Sequence, residues 1–140
     1  MSRVAVVYWS GTGNTEEMAK AIFEGAKEAG SEASLFNCTD FYASMIEDYD
    51  ILAFGCSSMG EEVLEEEEFE PMFASCESAL KGKKIALFGS YGWGDGQWMR
   101  DWDDRCKGLG AEQVHEYLIL NEYPDAAGLA ACRRLGMTLV

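Results

Sequence analysis

Basic residues are scarce in this chain: 11 lysines and arginines stand against 25 aspartates and glutamates, for a net charge of −14. That balance excludes a general nucleic-acid binder, which needs a basic stripe to neutralise phosphates. It suits a protein steered toward basic patches on partners, although plain solubility accounts for acidity equally well. Long apolar runs are missing too. None approaches the roughly 20 residues of a membrane span, and residues 1–9 read as a strand and not as a signal peptide. One domain covering 1–140, in the cytoplasm, is the expectation. No Cys-x-x-Cys pair occurs, and the five cysteines (Cys38, Cys56, Cys76, Cys106, Cys132) are odd in number and far apart. This argues against a disulfide framework, a zinc site and a thioredoxin-like dithiol. Reduced, buried thiols are expected instead. Histidine is nearly absent: the one present, His115, has no Cys or His nearby and is expected on the sheet or the surface, with no metal.

What the chain does have is alternation. Arg3–Trp9 is an apolar run that reads as a strand covered on both faces. Asn14–Ala29 repeats apolar residues at helical spacing (Met18, Ala19, Ile22, Phe23, Ala26), and Gly30 closes it. Glu32–Phe36 is a short strand, and Phe41–Glu47 a weak helix or loop. Asp50–Cys56 and Lys83–Ser90 are further buried strands, separated by a helix over Glu65–Leu80. Gln97–Gly108 reads as a helix, Gln113–Leu120 as the last strand, and Asp125–Leu135 as a final helix. Five strands alternating with helices imply a parallel sheet with right-handed crossovers. Ligands on such sheets bind at the carboxyl ends of strands.

Three loops leave those ends. The first, Ser10-Gly11-Thr12-Gly13-Asn14-Thr15, packs three hydroxyls, one amide and two glycines with no lysine or arginine. Backbone N–H groups, hydroxyls and a helix dipole make such a loop a phosphate cradle. A nucleotide-cleaving P-loop needs a Lys, and a dinucleotide fingerprint needs a small residue where Glu16 stands. The phosphate is expected to be held and not cleaved. The second loop, Cys56 to Glu62, offers Ser57, Ser58 and a polarizable Met59. As a four-residue turn from Met59 to Glu62, it puts Gly60 where a type II′ turn needs φ > 0. The third, Gly89 to Gly96, holds four glycines in eight residues around Ser90, Tyr91 and Trp93. An aromatic flanked by glycines offers a flat π-surface to a ligand. A flat ring joined to a phosphate by a polar chain would use all three loops, and flavin mononucleotide (FMN) has that shape.

From Val4 to about Pro124 the chain resembles the short-chain flavodoxins of anaerobic bacteria such as clostridia. The motifs are Tyr8-Trp9-Ser10-Gly11-Thr12-Gly13-Asn14-Thr15, Met59-Gly60-Glu61-Glu62 and Gly89-Ser90-Tyr91-Gly92-Trp93-Gly94-Asp95. The resemblance implies a flavodoxin-like α/β fold: a five-stranded parallel sheet in order 2-1-3-4-5 with helices on both faces. It implies that Ser10, Thr12, Asn14 and Thr15 hold the phosphate with loop amides from Gly11 and Gly13, and that Ser57 adds a hydroxyl; Trp9, next to them in sequence, is expected to buttress the loop. Met59 and Trp93 would cover the two flavin faces and Glu62 would accept from the ring N3–H. Amides near Gly92 and Gly94 would meet the pyrimidine end, with Ser58, Glu61, Ser90, Tyr91 and Asp95 completing the site. Glu61 stands where relatives often carry Asp or Ser. In such proteins the Gly60 carbonyl swings toward N5 after the first electron, stabilising a neutral semiquinone by roughly 0.5–1.5 kcal/mol. The function implied is a low-potential one-electron carrier cycling mainly between semiquinone and hydroquinone. It would be a monomer that meets basic-patched partners, such as reductases and ferredoxin-linked enzymes, transiently.

The seven glutamates of Glu61–Glu70 have two readings: Glu65 to Glu68 as the acidic start of a helix, and the stretch as a docking rim for basic redox partners. Rival folds fail on the residue that does the chemistry. A receiver domain needs acids where Tyr8-Trp9-Ser10 stands and an Asp where Cys56 ends its strand, and a low-molecular-weight phosphatase needs an Arg six residues after Cys56, where Glu62 is found. An FMN-dependent NAD(P)H or quinone reductase is the alternative, and a non-redox docking module a second. Trp98 and Trp102, at i,i+4, are expected to pack.

Overall fold

A computed structural model describes residues 2–139. Strand β1 (Arg3–Trp9) leads into α1 (Asn14–Glu28), then β2 (Glu32–Asn37), two 3-10 turns (Cys38–Asp40 and Ala43–Asp48) and β3 (Ile51–Cys56). Helix α2 (Phe69–Cys76) follows, continued by one 3-10 turn, and then β4 (Lys84–Tyr91) and α3 (Gln97–Gly108). The chain closes with β5 (Glu112–Gln113), β6 (Leu118–Asn121) and α4 (Ala126–Met137). All strand pairs are parallel and the order is β2-β1-β3-β4-β5, with β6 also on β4. The expected 2-1-3-4-5 sheet is present.

One strand differs from expectation. The single run Gln113–Leu120 is delivered as two short pieces on the same neighbour. Ile85 pairs with Gln113 and Phe88 with Leu118, so three steps along β4 match five along the partner. Two extra residues bulge out of this edge, where nothing on the far side enforces register. His115 lies in that bulge, half-buried, with its ring nitrogen 2.8 Å from the Glu116 carbonyl.

Helix α2 starts four residues later than its acidic run suggests. The Glu65 carboxylate folds back and accepts from the N–H groups of Glu67 (2.8 Å), Glu68 (2.7 Å) and Phe69 (2.8 Å). Glu65 therefore caps the helix from outside it. Pro71 sits in the first turn, where its missing N–H has no helical partner to lose.

Each face of the sheet buries one cluster. Helices α1 and α4 cover Val4, Val6, Ala53, Ala86 and Phe88 with Met18, Ile22, Cys132 and Leu135. The other face holds Phe54, Phe69, Phe73, Trp98 and Trp102, the rings of Phe54–Phe73 and Phe73–Trp102 meeting edge-on at 5.2 and 5.6 Å. Arg105 of α3 ties this layer to α2 through both oxygens of Glu70 (2.8 and 2.7 Å) and through Glu77 (3.1 Å). Trp98 and Trp102 are core residues, as their spacing predicts. All five cysteines are free and buried, and burial pushes the Cys38, Cys106 and Cys132 thiols up to about 12. They stay protonated at neutral pH, which suits packing and not thiolate chemistry. Among the described residues no helix is long and apolar enough to cross a membrane, and no His/Cys/Asp/Glu cluster could hold a metal.

Candidate cofactor site

The carboxyl ends of β1, β3 and β4 lie side by side, so the three loops that leave them converge. They enclose a cleft of about 280 Å³. The first loop contributes Trp9, Gly11, Thr12 and Asn14, the second Ser57, Ser58 and Met59, and the third Ser90, Tyr91, Gly92 and Trp93. A larger groove of about 560 Å³ lies between α3 and the edge bulge, but it gathers none of these loops.

At the phosphate end the donors are hydroxyls and amides alone. No lysine or arginine lines the cleft. Gly13 precedes α1 with φ 98°, and no side chain caps that helix, which leaves its first N–H groups for an acceptor. Ser10 Oγ accepts from Gly13 N–H at 3.0 Å, which fixes the loop's curl and leaves the hydroxyl proton free to donate. Trp9 lies against Gly11, where a Cβ would sit 3.0 Å from the ring, and its indole N–H donates to Glu68 at 3.0 Å. Trp9 is thus both wall and buttress. Thr15 is fully buried one layer below the cleft, with its hydroxyl turned to Ser57 and Ser90.

At the ring end two large apolar side chains stand in solvent: Met59 is 39% exposed and Trp93 62%. Both border the cleft. Exposed apolar groups beside a polar cradle are what an amphipathic ligand covers. Tyr91 leans on Trp98, ring centroids 5.6 Å apart, and the Trp98 N–H donates to the Cys56 carbonyl at 3.2 Å. The third loop is thereby tied to β3.

The second loop closes differently from the four-residue turn expected. Met59 and Val63 exchange backbone hydrogen bonds at 2.9 Å each, so the hairpin carries three residues at its tip. Gly60 keeps its positive φ (52°), and Glu62 also takes one (57°). Glu62 is held there because its Oε1 accepts from Gly96 (3.2 Å) and Gln97 (2.9 Å). Two amides at the start of α3 thus anchor a carboxylate of the second loop. Gly94 lies against that carboxylate: a Cβ there would be 2.5 Å from it. Glu61 is exposed, and Asp95 pairs with Arg100 at 3.0 Å. Neither borders the cleft.

One lining residue escaped the sequence reading. Glu122 borders the cleft in the left-handed region (φ 58°), its N–H donating to the Tyr91 carbonyl at 2.7 Å. The signal was available: β6 is parallel to the others, so its following loop also opens at the carboxyl edge.

The donor set fits FMN: hydroxyls and amides for a phosphate, a thioether and an indole for a flat ring. Comparison with known proteins agrees. The chain is 51% identical over 122 residues to the flavodoxin of Clostridium beijerinckii, covering 87% of this chain and 88% of that one. It is 44% identical over 133 residues to the flavodoxin of Megasphaera elsdenii, covering 95% of both. The solution structure of that protein in its two-electron reduced form superposes with a TM-score of 0.89 over 97% of each chain, at 43% identity. Proteins of this kind bind FMN and transfer electrons. Since the family described as Flavodoxin matches residues 6–136, the chain belongs to the flavodoxin family.

Proposed function

We propose that this protein carries single electrons between redox proteins on non-covalently bound FMN, working at low potential between the half-reduced and fully reduced cofactor. The observation that carries this reading is the cleft itself: a cation-free hydroxyl cradle continuous with exposed Met59 and Trp93. Bound FMN supplies the one-electron chemistry, and the protein sets its energetics. Ser10, Thr12, Asn14 and Ser57 would hold the phosphate with loop amides. Met59 and Trp93 would exclude water from the ring.

The acidity around the site acts on electron affinity. Glu122 borders the cleft and Glu62 flanks it. A carboxylate about 10 Å from a developing negative charge opposes it by roughly 0.4–1.7 kcal/mol, for effective dielectrics of 80 to 20. Several such charges favour a low second potential. The exposed Glu61, Glu66 and Glu67 offer a rim that would attract basic partners and weaken with salt. Transient encounters as a cytoplasmic monomer suit that surface.

The second loop supplies the element that responds to the first electron. Its ends are clamped by the Met59–Val63 pair, and Glu62 is fastened to α3. Between these anchors the Gly60–Glu61 peptide is free to turn over. An alanine in the left-handed region costs about 1–2 kcal/mol, so Gly60→Ala should strain the φ > 0 turn and weaken the half-reduced state that the turned-over carbonyl stabilises. Spectroelectrochemistry at fixed pH should show the first potential falling by roughly 20–65 mV, the equivalent of one hydrogen bond. An unchanged potential would remove Gly60 from the account.

A reductase needs room beside the ring for a second flat substrate, which Trp93 would fill. The test is turnover. The yellow protein should bind one FMN and show no steady-state oxidation of NADH or NADPH with quinone present. Sustained turnover would favour the reductase, and failure to bind FMN would favour a docking module.

A further inference from the structure

Helix α3 begins without a cap of its own. Gly96 precedes it with φ 93° and no side chain, and Gly94, two residues earlier, has φ 85°. Glycines leave the backbone many conformations to lose, so contacts from elsewhere must select one. Two side chains do so. Glu62 reaches in from the second loop and accepts from the N–H groups of Gly96 and Gln97. Arg100, one turn into α3, donates through Nη1 to the Asp95 carbonyl (3.1 Å) and through Nη2 to Asp95 Oδ1 (3.0 Å) and Gln97 Oε1 (2.7 Å). Its guanidinium therefore spans Gly96, holding the residue before it and the residue after it. Gln97 is steadied further by its side-chain amide, which donates to Asp101 Oδ1 at 2.8 Å.

The other end of the third loop is pinned as well. The Tyr91 carbonyl accepts from Glu122 N–H (2.7 Å) and from Asn121 Nδ2 (3.2 Å). Between the two pinned ends runs Gly92-Trp93-Gly94, with the exposed indole at its centre. An exposed ion pair contributes little through charge alone, and Asp95 is 77% exposed. Shape is what counts here. A planar guanidinium with several fixed donors bridges two residues, whereas an ammonium on a flexible stem is a single point charge.

We propose that Arg100 is a positioning residue for the ring end of the cleft. By closing the turn from Asp95 to Gln97 it fixes the two amides on which Glu62 rests and the anchor from which Trp93 stands. Arg100 does not border the cleft, so it acts through those two residues. Its gain is pre-organisation: the loop is ordered before the ring arrives and not at its expense. The inference rests on the FMN reading above.

Two measurements on the full chain test it. The first is amide hydrogen exchange followed by NMR. Arg100→Met should speed exchange at Gly96 and Gln97 about tenfold or more and leave Leu87 and Phe88 of β4 unchanged. The second is titration of the flavin-free protein with FMN and with riboflavin, which has the same ring and no phosphate. Arg100→Met should weaken both by the same factor, about three- to tenfold. Arg100→Lys, which keeps the charge but not the fork, should lose nearly as much. In a Glu62→Gln background the loss from Arg100→Met should shrink, because one of its two routes is gone. Asp95→Ala removes one acceptor of the fork and should give a smaller loss of the same kind, which covers a misfolded Arg100→Met. Full affinity in Arg100→Lys would make Arg100 a charge and not a clamp, and would overturn the proposal. So would a loss for FMN without one for riboflavin, losses that multiply in the double variant, or unchanged exchange at Gly96 and Gln97. If the unaltered protein binds neither flavin, the cofactor reading itself fails and the proposal goes with it.

Discussion

Gly136→Ala is expected to cost about 3 kcal/mol or more, near the top of what overpacking does to a core. Helices α1 and α4 meet through two glycines. A Cβ on Gly136 would sit 2.0 Å from the Ile22 carbonyl oxygen and 2.9 Å from the Ala26 nitrogen. A Cβ on Gly25 would sit 2.1 Å from the Arg133 carbonyl oxygen. These neighbours are backbone, so no side-chain rotation relieves the clash. The helices must separate, and the buried contacts of Met18, Ile22, Cys132 and Leu135 loosen with them. Against a typical total stability of 5–15 kcal/mol, the loss should lower Tm by roughly 10 °C. Gly108→Ala is the control: it ends α3 with open space around it and should change stability by less than about 1 kcal/mol. Calorimetry on both variants decides the point. A Gly136→Ala protein as stable as the parent would mean that the α1–α4 approach is wrong.

Glu65→Gln should destabilise the protein by about 2–3 kcal/mol at pH 7, and the difference should vanish in acid. Glu65 is 8% exposed. Burial by itself raises the pKa of this carboxyl, but the N–H groups of Phe69, Glu68 and Glu67 outweigh that and hold it below the ordinary value. Hydrogen bonds to an ionised acceptor contribute about 1.5–3 kcal/mol, and charge at a helix N-terminus adds roughly 0.3–1 kcal/mol. Gln keeps one oxygen but turns an NH₂ toward donors. A depressed folded-state pKa makes the contribution fully present above the unfolded value of about 4.3. It is lost as pH falls through the lower, folded value. Urea melts of parent and variant at pH 7, 5, 4 and 3 should therefore show a constant gap down to about pH 5 and a shrinking one below. A gap independent of pH would show that ionisation of Glu65 does not matter. The cap also bears on the site, because Glu65 N–H points to Cys56 Sγ at 3.5 Å, at the end of β3 where the second loop begins.

Much of this fold was legible because local and tertiary preferences agree. Strand β1 and helix α3 run over the residues their patterns mark, Arg3–Trp9 and Gln97–Gly108. The start of α2 was not legible, since a run of glutamates reads as a first helical turn whether or not one of them folds back as a cap. The break in the last strand was hidden for another reason: composition at a sheet edge does not report two surplus residues. At the site, glycines and hydroxyls marked the three loops. What they could not reveal was which hydroxyls face inward. Thr15 finds its partners 42 and 75 residues away, a pairing that only the folded sheet creates. Likewise Glu62 belongs to a motif in sequence, but its grip on Gly96 and Gln97 depends on where α3 begins.

The most direct test of the central claim is a stepwise anaerobic reduction of the purified yellow protein, recorded as visible spectra. The account predicts two resolved one-electron steps, with a long-wavelength-absorbing half-reduced species near the midpoint and a second step at low potential. Bleaching in a single two-electron step, with no half-reduced species at any point, would contradict it.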